Sequence, residues 1–128
     1  MDKKSESLVT ACIGRIIVVA NITEESLTLT FEDGSTLALY DVPDCCENRY
    51  MRSDDSTSDL IGARLVSIEE RIGPDLTQVA ESGDDHETAF VNILTDHGQY
   101  QLVMHNEHNG CYGGFALSVA AVLPKYYN

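Results

Sequence analysis

Basic residues are scarce in this chain, and tryptophan is absent. Eight Lys and Arg stand against 21 Asp and Glu, a formal charge of −13. A field of that sign repels phosphate backbones and anionic lipid, so neither nucleic acid nor a membrane surface is an expected partner. Long apolar runs are missing too, and none approaches the roughly eighteen residues of a membrane span. The polar start, Met1-Asp2-Lys3-Lys4-Ser5-Glu6, leads into no apolar core of a secretion signal. The expected compartment is the cytoplasm. Cysteine is sparse, with Cys12, Cys45, Cys46 and Cys111 and no CxxC pair. Neighbours such as Cys45 and Cys46 seldom bridge each other, because the ring is strained, and a cytosolic chain keeps its thiols reduced. Four free thiols are expected.

What is present is an ordinary apolar fraction, 43% over 128 residues. That suffices for one domain, residues 1–128, with a proper core and no disulfide staples. Residues 1–7 read as frayed; Ser7 or Thr10 can cap a short helical turn that Gly14 ends. Arg15 to Ile22 is β-branched and too short for a helix, which predicts a strand buried on both faces. Ser26 to Phe31 and Thr36 to Tyr40 alternate with a period of two around the Asp33-Gly34 turn signal. A short helical turn capped by Ser56 or Thr57 runs through Leu60 and stops at Gly62. Further strands are expected at Arg64 to Ile68, Thr88 to Thr95 and Gln99 to Met104. The acidic stretch from Ile72 to Glu87 reads as a loop, and Asp96-His97-Gly98 as a tight turn. Phe115 to Leu123 is strand or helix, ended by Pro124. The fold class is α+β, mostly an antiparallel β meander with one or two short helices.

Residues His105 to Phe115 carry the densest set of site-capable side chains. Two His, two Asn and one Glu precede Gly110, and Cys111 and Tyr112 precede Gly113-Gly114. Asn109-Gly110 is a strong hairpin signal, so the stretch reads as a turn between two strands. In an extended strand His105 and Glu107 share a face and His108 points away. That pair alone is too few ligands, and no metal site or cofactor is expected. No cysteine sits at a strand-to-helix elbow, so no catalytic residue is expected either. Arg49-Tyr50-Met51-Arg52 places two guanidiniums around an aromatic ring, a set suited to phosphate and a flat base. Surface charge balance explains the same arginines equally well.

Two motifs carry a resemblance. Asp44-Cys45-Cys46-Glu47, with the following Asn48-Arg49-Tyr50-Met51-Arg52, precedes Asn106-Glu107-His108-Asn109-Gly110-Cys111-Tyr112-Gly113-Gly114. The order resembles a small uncharacterised family of phage and bacterial proteins, from about Ile13 to Phe115. Cys111 departs from the family's more usual Tyr. In size, β-rich layout and phage association the chain is also similar to the first class of Thoeris anti-defence proteins. Those are oligomeric, non-enzymatic sponges for a cyclic ADP-ribose signal made by bacterial TIR-domain proteins. The resemblance implies a phage-encoded, homo-oligomeric binder of a small nucleotide-derived ligand, working in the host cytoplasm and not an enzyme. The candidate ligand contacts are Cys45, Glu47, Arg49, Tyr50, Arg52, Asn106, His108, Asn109 and Tyr112. The alternatives are an acidic protein-interaction or inhibitor module and a small metal-dependent enzyme.

Overall fold

In a computed structural model, residues 1–42, 47–73, 76, 85–108 and 113–123 are described. The chain opens with helix α1 (Lys3–Cys12). Among the described residues eight strands follow: β1 (Ile17–Ile22), β2 (Ser26–Phe31), β3 (Thr36–Asp41), β4 (Glu47–Arg52), β5 (Leu65–Ile72), β6 (Asp85–Thr95), β7 (Gly98–His108) and β8 (Leu117–Val122). They form two antiparallel four-stranded sheets, ordered β1-β2-β3-β8 and β4-β7-β6-β5. The expected fold class therefore holds. The meanders β1-β2-β3 and β5-β6-β7 are local; β8 joins β3 and β4 joins β7 across long stretches of sequence.

Period-two patterning decides the faces. Leu27, Leu29, Leu37 and Leu39 from the first sheet meet Val91, Ile93, Leu102 and Met104 from the second in one core. At about 25 cal/mol per Å², burying such side chains is the main stabilising term. Gly34, at φ +87°, supplies the turn between β2 and β3 that Asp33-Gly34 signals. The Ser56-capped 3₁₀ turn at Thr57–Leu60 also falls where expected. Within Phe115 to Leu123 the chain is strand over Leu117–Val122, where β8 pairs residue by residue with β3.

Several expectations are overturned. Residues 1–7 are not frayed: Asp2 caps α1 by accepting from the Ser5 amide at 2.7 Å. Ser5, Val9 and Cys12 then turn one buried stripe to the core. The Ser5 Oγ accepts the Val119 amide of β8 at 3.0 Å. β1 is not buried on both faces, since a bulge between Ile17 and Val19 leaves Val18 40% and Val19 52% exposed. The stretch from 72 to 87 is not all loop, because β5 runs to Ile72 and β6 begins at Asp85. Its positions 74–75 and 77–84 lie outside the described residues. Nor do His105 to His108 belong to a turn. β7 continues to His108, and β7 and β8 belong to different sheets. Hydrogen bonding to β4 and β6 on either side holds those four residues extended. The expected Asn109-Gly110 turn itself lies outside the described residues.

Candidate functional site

Chemistry gathers at one end of the second sheet, where β4, β7 and β6 lie side by side. Register pairs Glu47 with His108, Arg49 with Asn106 and Tyr50 with His105. It also pairs His86 with Glu107 and Glu87 with Asn106. Alternation along the strands sends these residues to opposite faces.

The core-facing set is a buried polar layer. Arg49 donates to Asp41 Oδ1 at 2.7 Å and to both Glu47 oxygens at 2.9–3.2 Å. Burial opposes its charge, but the Glu47 and Asp41 carboxylates hold Arg49 above the ordinary arginine value. Burial pushes the Asp41 carboxyl up, against the pull of the Ala116 amide and Arg49. Asn106 Nδ2 donates to Glu47 Oε2 at 2.6 Å and to the Gly114 carbonyl at 2.9 Å. Glu87 Oε1 meets His108 Nε2 at 2.5 Å and accepts the Gly114 amide at 3.2 Å. The layer thus clamps the segment entering β8. A Cβ at Gly113 would fall 2.6 Å from Glu87 Oε1, so glycine is what lets the backbone come this close. Beside the layer opens a cleft of about 440 Å³, walled by Glu70, Ile72, Glu87, Ala89 and Phe115.

The outward-facing set is aromatic and basic. Tyr50 and His105 stack with centroids 4.6 Å apart and planes 7° from parallel. The Arg52 guanidinium carbon lies 4.8 Å from the Tyr50 ring centre. His86 Nε2 meets His105 Nδ1 at 3.0 Å. Glu107 Oε1 lies 3.8 Å from His86 Nδ1. Burial, then His86 and Arg52, push His105 below the ordinary histidine value. Burial first, then Glu107, raises the Tyr50 phenol.

Glu47, Arg49, Asn106 and His108 therefore come together, whereas Tyr50 and Arg52 lie on the other face. Three positions apart on a strand, the two arginines cannot form one clamp, and Arg49 is committed to Asp41 and Glu47. Cys45, Asn109 and Tyr112 lie outside the described residues, as do Cys46 and Cys111. Cys12 is a buried free thiol, its pKa raised by that burial. His105 and Glu107 do share a face, as alternation requires. Asp41, His86 and Glu87 were missed. For His86 a signal existed. Counting outward from the Thr95–Gly98 pair across the Asp96-His97 turn leads, nine positions on, to His86 opposite Glu107.

The fold and this two-faced sheet end define a two-sheet antiparallel β domain. Among the described residues, no helix is long and apolar enough to cross a membrane. A family model described as a domain of unknown function, DUF7448, matches residues 10–118, and the chain belongs to that uncharacterised family. No curated protein and no solved structure matches the chain.

Proposed function

We propose that the protein is a non-enzymatic binding domain that sequesters a small nucleotide-derived signal of the cyclic ADP-ribose type. It acts as a phage-encoded, homo-oligomeric anti-defence sponge in the host cytoplasm. The observation that carries this reading is the Tyr50–His105 stack with Arg52 over the ring. Every nucleobase has a π face to lay on such a stack. Arg52 is 66% exposed and touches Glu24 only at 3.5 Å. An exposed cation–π contact is worth about 0.5–1 kcal/mol, so an incoming base can take the ring while the guanidinium turns to phosphate. In a chain carrying −13, an anionic ligand needs such a local cation.

An open sheet face buries little of a small ligand, and sequestration calls for roughly nanomolar affinity, about −12 kcal/mol. A second subunit would complete the enclosure. The apolar side chains that β1 leaves open, Val18 and Val19, support association.

The test is calorimetric titration with cyclic ADP-ribose isomers and cyclic oligonucleotides, with the assembly mass read by light scattering. Tyr50→Ala and Arg52→Ala should each weaken binding roughly ten- to hundredfold, and Arg52→Lys should recover part. A wild-type protein that binds none of these ligands overturns the reading. The net charge favours an acidic interaction module as the second reading. Its mark would be a protein partner lost steeply as salt rises.

A further inference from the structure

The geometry points to a chelating site for one divalent ion of the Cu²⁺ or Ni²⁺ kind, formed by His86 Nε2 and His105 Nδ1 on the open face of the second sheet. It goes beyond the ligand reading and does not rest on it. The two nitrogens are 3.0 Å apart and belong to side chains on the neighbouring hydrogen-bonded strands β6 and β7. Nitrogens bound at about 2.0–2.1 Å and at right angles to each other stand about 2.8–3.0 Å apart. Cu²⁺ and Ni²⁺ stand high in the affinity order for nitrogen ligands and favour such right-angled, square-planar or octahedral, surroundings. Imidazole is a ligand that both copper and nickel accept.

The surroundings fit a chelate of two histidines. Tyr50 stacks on His105 and limits how far that ring turns. Glu107 Oε1 lies 3.8 Å from His86 Nδ1, the nitrogen that does not face His105. That separation is beyond a hydrogen bond, but a turn of either side chain brings the carboxylate to the nitrogen whose N–H a metal-bound histidine donates to such a partner. In the metal-free pair one ring donates its N–H to the other. On uptake that proton moves, through water, to the remote nitrogen of its own ring, and both lone pairs then face the ion. The His86 ring, tilted 48° to that of His105, turns toward it, while His105 keeps its stack on Tyr50. Among the described residues no three or more His, Cys, Asp and Glu side chains are grouped to hold an ion. The site is therefore an open chelate, its remaining positions left to water or another ligand, and not a closed structural centre.

The experiment titrates full-length protein with CuCl₂ and NiCl₂ by calorimetry in a non-chelating buffer. One ion per chain is expected, copper held more tightly than nickel, with dissociation constants of roughly 1–100 µM. His86→Ala and His105→Ala should each weaken uptake about tenfold or more, Glu107→Gln by less, and exposed His97→Ala not at all. His105→Phe keeps a flat ring on Tyr50 without a lone pair and should lose binding while keeping the wild-type melting curve. That separates ligation from folding if His105→Ala melts early. Absence of uptake overturns the proposal, as does uptake that survives the loss of either histidine. Thiolate charge-transfer bands in the spectrum of a CoCl₂ titration would also overturn it, by assigning the ion to cysteine.

Discussion

Arg49 of β4 and Asp41 of β3 meet across the gap between the two sheets, Nη1 to Oδ1 at 2.7 Å, with side chains only 5% and 4% exposed. The same guanidinium holds Glu47, and Asp41 also accepts the Ala116 amide at 2.7 Å. One cation thus fastens two carboxylates and, through Asp41, the entry to the last strand.

Removing that cation takes the guanidinium away from two buried carboxylates, Asp41 and Glu47. Breaking a buried pair from one side costs about 3–5 kcal/mol. Arg49→Ala is expected to lower the unfolding free energy in urea by about that amount, and Arg49→Lys by less, since an ammonium lacks the planar fork. Arg52→Ala, on the exposed face of the same strand, should stay within about 0.5 kcal/mol of wild type. Equal, small effects at both positions would show that the buried layer adds nothing to stability.

His105 gives stability a dependence on pH. Its folded pKa lies below the ordinary 6.5, so the unfolded chain takes up the proton first as pH falls. The contribution is complete above 6.5 and is lost as pH drops from there through the folded value. Asp41 works in the opposite sense: its carboxyl is raised from 3.8, so its contribution is present below 3.8 and lost as pH rises through the folded value. Urea midpoints measured between about pH 5 and 7 should fall on acidification in wild type and fall less in His105→Gln. Parallel curves for the two proteins would remove His105 from the account.

At Gly113 the neighbours leave no room for a side chain. A methyl group there would meet Glu87 Oε1 at 2.6 Å and His108 Nε2 at 3.2 Å. Both atoms are engaged with each other, so the clash is relieved only by loosening the Glu87–His108 contact or moving the backbone. Gly113→Ala should cost about 1–3 kcal/mol, read from chemical denaturation. A Gly34→Ala control has open space for its methyl and only positive φ to oppose it, so it should cost about 1 kcal/mol.

Local patterning made some of this legible and not the rest. Ser26 to Tyr40 could be read because alternation and the Asp33-Gly34 turn act within a few residues of each other. The Ser56 cap was equally local. α1 hid behind Lys3, Lys4, Ser5 and Glu6, since its buried stripe is Ser5, Val9 and Cys12, only partly apolar. The extension of β7 hid for a related reason: His105 to His108 look like loop residues. They are strand because β4 and β6 pair with them from either side. Arg49 and Arg52 looked like one group in sequence, and only a strand assignment could have separated them. The Tyr50–His105 stack depends on β4 joining β7, a pairing across more than fifty positions for which the sequence carries no local mark.

The bond from the Val119 amide to Ser5 Oγ spans 114 positions. During synthesis α1 emerges long before β8, so the first sheet cannot be completed until residues through Val122 have left the ribosome. Until then β3 presents an unpaired edge carrying Leu37 and Leu39, a template for pairing with other chains. Such distant closure also slows folding, because chain entropy is lost before the contacts that repay it are made. A chain cut short before Leu117 should therefore accumulate as aggregate and not as a smaller folded domain, a result that sedimentation of the truncated protein would show.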